Sequence, residues 1–182
     1  GTFQPDIAAI KGAITPHTKA VLINSPNNPS GVVYTEESIK QLCKVLQECK
    51  NNGQTIYLIS DEPYRELVFG GVKVPYIMNY YADSIVCYSF SKSLSLPGER
   101  IGYIAVNPAM GNAGEVYAAV CGAGRALGYV CAPSLFQQII PRVIGKTSDI
   151  SVYERNRDVL SAALQSYGYE VVKPDGAFYL FV

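Results

Sequence analysis

The sequence predicts an α/β fold with a mostly parallel sheet covered by helices. Three features carry this. Residues 20–24, 56–60, 84–90 and 101–106 form short runs, rich in Val, Ile and Tyr and nearly continuous in apolarity. That pattern suits strands buried on both faces. The first two runs bracket an amphipathic helix, which makes a βαβ unit. The first three runs each lead straight into a polar loop, and open α/β sheets bind ligands at the carboxyl ends of their strands.

Between the first two strands the helix is well marked. Thr35 can act as its N-cap, and Glu36 and Glu37 suit the positive end of the helix dipole. Ile39, Leu42, Cys43, Leu46 and Cys49 form one apolar stripe. Lys50 suits the last turn, and Gly53 can take the left-handed conformation that stops a helix. Residues 62–83 are broken by Pro63, Gly70, Gly71 and Pro75 and read as loop and short pieces. Asn107-Pro108 can open a helix running toward Val120. Pro133 can open another through Gln138, which Pro141 would kink or end. A longer helix starts near Ser148 or Asp149, with Val152, Asn156, Val159, Leu160, Ala163, Leu164 and Tyr167 on its inner face and Gly168 as its stop. Residues 169–172 and 177–182 then read as strands around the turn Lys173-Pro174-Asp175-Gly176.

Composition narrows the function classes. The chain has 182 residues, with 15 basic and 15 acidic side chains and a formal net charge of zero. At 48% hydrophobic and 16% charged residues, it has ample material for a core and is not a disordered segment. A neutral chain lacks the broad basic surface that non-specific phosphate-backbone binding needs, so no nucleic-acid partner is expected. The longest charge-free run, residues 126–141, is interrupted by Gly128, Pro133, Gln137 and Gln138. No membrane span is expected, since one needs about 20 apolar residues. No basic segment followed by an apolar block opens the chain, so no signal peptide is expected. The five cysteines are odd in number and none is spaced as C-x-x-C, which fits buried, reduced thiols in a cytoplasmic protein. His17 is the only histidine, in a loop, and no metal site is expected.

The chemistry-bearing residues gather where strands end. The first strand runs into Asn24-Ser25-Pro26-Asn27-Asn28-Pro29-Ser30-Gly31. The second runs into Asp61-Glu62-Pro63-Tyr64, and the third into Ser89-Phe90-Ser91-Lys92. Three loops would thus deliver Asn28, Asp61, Tyr64, Ser89, Ser91 and Lys92 to one edge of the sheet. Each alone reads as ordinary turn or surface chemistry; the shared placement raises the functional reading. Pro26, Pro29 and Gly31 stiffen the turn that carries Asn28. Lys92 follows an apolar strand, where desolvation favours a neutral amine nucleophilic toward carbonyls. Arg100, after Pro97-Gly98-Glu99, offers a guanidinium near serine hydroxyls, which suits phosphate. An imine-forming lysine, a phosphate cluster, a carboxylate and two hydrogen-bond donors fit a phosphorylated carbonyl cofactor.

These three segments, the third extending through Ser93-Leu94-Ser95-Leu96-Pro97-Gly98-Glu99-Arg100-Ile101-Gly102-Tyr103, resemble the signatures of class I/II aminotransferases, fold-type I enzymes that use pyridoxal 5'-phosphate (PLP). They come in the family's order and cover essentially the whole chain. Asp175-Gly176-Ala177-Phe178-Tyr179-Leu180 resembles the segment that opens the family's small domain. The resemblance implies a three-layer α/β/α sandwich: residues 1–148 as the second half of the large PLP-binding domain, and residues 149–182 as a linking helix and first strands of the small C-terminal domain. It implies that Lys92 forms an aldimine with PLP and moves a proton at the substrate Cα. Asp61 would pair with the pyridine nitrogen, and Tyr64 and Asn28 with the ring's phenolic oxygen. Ser89 and Arg100, and less specifically Ser91, would hold the phosphate. The reaction implied is amino-group transfer between an amino acid and a 2-oxo acid, in amino-acid metabolism, by a homodimer.

Ser30 stands where threonine is commoner in the family. The family's glycine-containing phosphate turn, its ring-stacking aromatic residue and its carboxylate-gripping C-terminal arginine are not found. The chain is therefore expected to be an incomplete piece, inactive alone. Other readings share the same cofactor residues: a C-S β-lyase, a decarboxylase, a cyclopropane-forming synthase or a non-catalytic PLP or amino-acid sensor. Ser89-Phe90-Ser91-Lys92 also matches the S-x-x-K of penicillin-binding enzymes, but no S-D-N occurs and Lys146-Thr147-Ser148 is only a partial K-T-G.

Overall fold

The structure is a computed structural model, and it describes residues 2–182. Its centre is a sheet of four strands in the order β1-β2-β3-β4: β1 is Ala20–Asn24, β2 Tyr57–Asp61, β3 Ser84–Ser89 and β4 Gly102–Val106. β1 and β2 pair in parallel, as do β2 and β3. β4 runs antiparallel to β3, with Ser89 opposite Gly102 and Ile85 opposite Val106. The sheet is mixed. The connection from β3 folds into the short helix α3, Phe90–Ser93, and a 3₁₀ turn, Pro97–Glu99, which bring the chain back at the end where β3 finishes. A parallel return would need a crossover to the opposite end.

One face is covered by α1, Ile7–Ala13, and α2, Glu36–Asn51. Thr35 caps α2, its Oγ1 accepting from the Ser38 N–H. The stripe buries Ile39, Leu42, Cys43 and Leu46 against Ile23, Ile56, Leu58 and Val86 of the sheet region. The cluster is closed by Ile77 and Tyr81, from the irregular segment before β3. Lys50 in the last turn of α2 bonds Asp83 Oδ2 at 2.6 Å, which ties the helix end to the start of β3. α1 is a short helix, capped by Asp6, in a stretch with no helix expected from sequence.

Later elements depart from expectation. Asn107 does not open a helix. Its amide is buried and donates to the carbonyls of Met78 and Tyr81 and to Ser84 Oγ, each at 3.1 Å. The helix there, α4, begins only at Ala113 and ends at Ala126. α5, Ser134–Val143, carries Pro141 inside it rather than ending there. α6, Ile150–Ser166, is capped by Asp149 as expected. However, its more sheltered positions are Tyr153, Arg157, Ser161 and Leu164, whereas Val159 and Leu160 are more than half exposed. Residues 169–172 and 177–182 form no strands, only a bridge between Val172 and Phe181.

Both outer strands are open to solvent, contrary to the two-sided burial expected. Leu22 of β1 and Tyr103 and Ile104 of β4 are exposed, as are Tyr117, Leu127, Tyr129 and Val130 in and after α4. An apolar surface of this kind, next to sheet edges, favours association. The 182-residue chain is expected to sediment as dimers or larger species; a sharp monomer of high thermal stability would contradict this. Among the described residues, no helix is long and apolar enough to cross a membrane. No group of three or more His, Cys, Asp or Glu side chains there is arranged to hold a metal ion. All five cysteines are free. Burial pushes the Cys43 thiol up to about 11, but Cys121 and Cys131 are exposed, so the buried-thiol expectation fails for those two.

Candidate functional site

The parallel strands deliver their polar loops to one end of the sheet. Asn24, last in β1, pairs in register with Asp61, last in β2, and Asp61 with Cys87 near the end of β3. Asn24 knits this end together. Its Nδ2 donates to the Asp61 carbonyl at 2.9 Å and approaches Asp61 Oδ2 at 3.4 Å, while its Oδ1 accepts from the Asn28 N–H at 2.7 Å. Asn27 Oδ1 accepts from both the N–H and Oγ of Ser30, and the Asn27 carbonyl accepts from the Gly31 N–H. The turn carrying Asn28 is therefore braced by two asparagine amides as well as by its prolines. This is the local turn chemistry asparagine favours.

Asp61 is half-buried, and burial raises its carboxyl above the usual carboxylate value. Among the described residues no lysine or arginine forms an ion pair with it. Its neighbour Glu62 is almost fully buried and fully engaged: Ser60 Oγ donates to Oε1 at 2.7 Å and Arg65 Nε to Oε2. Arg65 also donates to the carbonyls of Val74 and Pro75 and lies over the Tyr76 ring. Adjacent carboxylates thus differ in kind. Glu62 is locked into structure, and Asp61 is left without a cationic partner.

Tyr64 is buried, with its hydroxyl 2.7 Å from that of Tyr179. Burial raises its phenol well above the ordinary value; the Tyr179 hydrogen bond and the charges of Tyr179 and Asp61 push the same way, and the Asn28 side chain opposes them. Phe178 packs edge-on to the Tyr64 ring with centroids 5.4 Å apart, and Lys92 Nζ sits 5.4 Å above the Phe178 ring centre. Lys92 and Tyr64 are therefore joined through one aromatic ring.

Ser89 ends β3 and also caps α3: its Oγ accepts from the Ser91 N–H at 3.1 Å and donates to Ser91 Oγ at 2.7 Å. Lys92 is half-buried within that helical turn. Behind it, the Tyr88 hydroxyl meets Glu66 Oε2 at 2.7 Å and Ser93 Oγ at 2.8 Å. Arg100 is exposed, in a left-handed backbone conformation, and its Nη1 donates to the Pro97 carbonyl at 2.6 Å. Among the described residues it bonds neither serine. Geometry thus brings together Asn28, Asp61, Tyr64 and Lys92, and pairs Ser89 with Ser91, but it does not bring Arg100 onto the serines.

Segment 175–180 carries no chemical role expected from sequence. In the structure that segment is clamped. The Asp175 and Gly176 N–H groups both donate to the Gly31 carbonyl at 2.9 Å, Ala177 N–H donates to Leu67 O at 2.8 Å, and Phe69 N–H to Asp175 O at 2.8 Å. Gly31 has φ of +69°, and a Cβ there would lie 2.2 Å from Pro174 Cβ. Only glycine satisfies both the backbone and the space. The clamp is what delivers Phe178 and Tyr179.

The family model for aminotransferase class I and II matches residues 1–182. The probable aspartate/prephenate aminotransferase of Aquifex aeolicus is 34% identical over 191 residues, covering 98% of this chain and 45% of that protein. The aspartate aminotransferase of a Bacillus species is 36% identical over 180 residues, covering 94% of this chain and 43% of that protein. Among solved structures, an amino transferase from Eubacterium rectale matches with a TM-score of 0.95 at 57% identity, covering 98% of this chain and 45% of that one. The chain spans about half the length of the curated relatives it matches.

Proposed function

This chain belongs to the class I and II aminotransferases, and we propose that it forms the cofactor-holding part of a PLP-dependent enzyme that moves an amino group between an amino acid and a 2-oxo acid. The observation that carries the proposal is the meeting of Asn28, Asp61, Tyr64 and Lys92 at the carboxyl end of the parallel strands. In the same proposal, residues 1–148 belong to the large domain and residues 149–182 open the small one. Because the relatives are about twice as long, the 182 residues alone are proposed to be inactive.

The donor set fits PLP. Asp61 is a half-buried carboxylate with no cationic partner among the described residues, which suits a protonated ring nitrogen. Ser89 and Ser91 present paired hydroxyls at a helix start, which suits a phosphate. When bound, PLP supplies an electron sink that stabilises negative charge at the substrate Cα. Asp61 would hold a proton on the ring nitrogen. Tyr64 and Asn28 would orient the phenolic oxygen. Lys92 Nζ would provide the amine that holds the cofactor and would accept and return the proton at the substrate Cα. Ser89 and Ser91 would bind the phosphate, and Arg100 would join them through N–H groups other than the Nη1 bond to the Pro97 carbonyl.

The test is a PLP titration of the full-length protein that carries these 182 residues, followed by a panel of amino donors with a 2-oxo acid acceptor; the 182 residues alone are expected to bind PLP weakly or not at all. Aspartate heads the panel because the relatives named above act on it by name. Saturable PLP binding and a new amino acid as product are expected. No saturable binding overturns the reading, and release of ammonia in place of amino transfer points to a lyase.

Asp61 gives a separate prediction. Its raised carboxyl value means that the folded chain keeps this proton to higher pH than the unfolded chain, so stability falls as pH rises between the two values. Asp61→Asn removes that loss. The variant is expected to be no less stable than the parent without PLP at neutral pH, yet to bind PLP more weakly. Thermal unfolding with and without PLP reads both effects, and a variant that melts lower without PLP would count against the assignment.

A further inference from the structure

We propose that Tyr179 is a positioning residue for Tyr64: once the cofactor is bound, its hydroxyl donates to the Tyr64 oxygen and leaves the Tyr64 proton free to point at the cofactor's phenolic oxygen. This deepens the proposed function and rests on that reading. A phenol carries one proton and two acceptor lone pairs. The two hydroxyls lie 2.7 Å apart and either could donate. If Tyr64 gave its proton to Tyr179, it would have none for the cofactor. If Tyr179 gives, Tyr64 accepts on one lone pair and its own proton is directed elsewhere.

The surroundings support a positioning role. Tyr64 is buried and Tyr179 half-buried, with ring centroids 5.7 Å apart in an edge-on arrangement. Phe178 also packs edge-on to Tyr64, with its ring centroid 5.0 Å from that of Tyr179, and lies under Lys92 Nζ. The titratable groups around the Tyr64 hydroxyl are Tyr179, Asp61 and, across Phe178, Lys92, with the uncharged Asn28 amide beside them. The backbone that carries Tyr179 is tied to Gly31 on the Asn28 loop and to Leu67 and Phe69 on the Tyr64 loop. A shift of segment 174–177 would therefore move the Tyr179 hydroxyl relative to Tyr64. Segment 174–180 and the cofactor loops are thereby joined in one hydrogen-bonded unit.

The experiment uses the full-length protein that carries these residues, PLP, and the variants Tyr179→Phe, Tyr64→Phe and the double variant. The readout is the pH midpoint of the visible absorbance shift of bound PLP, with PLP affinity alongside. A hydrogen bond donated to the phenolic oxygen favours the deprotonated imine, so losing it moves the midpoint up. Tyr64→Phe is expected to raise it by roughly half a unit to one unit, the size of an ordinary hydrogen bond. Tyr179→Phe is expected to raise it by a smaller amount, and the double variant no further than Tyr64→Phe alone. A purely structural role for Tyr179 would lower the melting temperature and leave the midpoint in place, which overturns the inference. Additive shifts in the double variant overturn it as well. Absence of any PLP absorbance in the parent would instead overturn the proposed function itself, so the two failures are distinct.

Discussion

Lys92→Ala is expected to abolish the pH-dependent visible absorbance that PLP acquires on the full-length protein and to lower its amino transfer by at least about 10²–10⁴-fold, the usual contribution of proton transfer alone. The reason is local. Lys92 Nζ lies above Phe178, which packs on the buried Tyr64, and its backbone sits in a turn capped by Ser89. The amine is held over the ring that packs on Tyr64. Lys92→Arg separates charge from chemistry. It keeps a cation over Phe178 but supplies no nucleophilic amine at working pH, so it too is expected to lose the band. An alanine variant that keeps the same covalent band would sink the lysine assignment.

Glu62→Ala is expected to destabilise the chain by about 3–5 kcal/mol, because it strands Arg65 and removes one member of a buried ion pair. Glu62 is 1% exposed and accepts from Ser60 and Arg65, whose remaining nitrogens bond Val74 and Pro75 carbonyls. The pair thus joins the end of β2 to the loop before β3. Urea unfolding measures the loss. Replacing both partners by apolar residues of similar size should cost much less, since such swaps are often neutral. A single-variant loss below about 1 kcal/mol would show that the pair carries no such weight. The effect reaches function as well: Glu62 lies between Asp61 and Tyr64, and a loosened loop would misplace both.

Much of the fold was legible because its signals are local. Thr35 caps α2, the stripe from Ile39 to Leu46 is buried, and Lys50 lies in its last turn, all from a run of consecutive residues. The four strands of the sheet fall within a residue of their expected ends, whereas residues 169–172 and 177–182 form none. Elsewhere local signals lost to distant partners. Asn107-Pro108 looked like a helix start, but the Asn107 amide is taken by Met78, Tyr81 and Ser84. The apolar residues Val159 and Leu160 looked like an inner face, but α6 turns Arg157 inward, over the Phe69 ring. Arg100 looked like a ready phosphate ligand, but its guanidinium folds back to Pro97.

The same division holds at the site. Asn28, Asp61, Tyr64, Ser89, Ser91 and Lys92 could be named from their loops, since a polar loop after an apolar strand is a local pattern and parallel strands end on one edge. Composition and periodicity were enough for α2 and the four strands of the sheet, and for placing these side chains in the loops at their ends. Tertiary structure alone decided the antiparallel direction of β4, the isolation of Asp61 beside a fully paired Glu62, and the meeting of Tyr64 with Tyr179 across 115 positions of chain. Side-chain patterning records which face an element buries. It holds no record of which distant hydroxyl, carbonyl or ring will lie against it, because that contact exists only once the elements have packed.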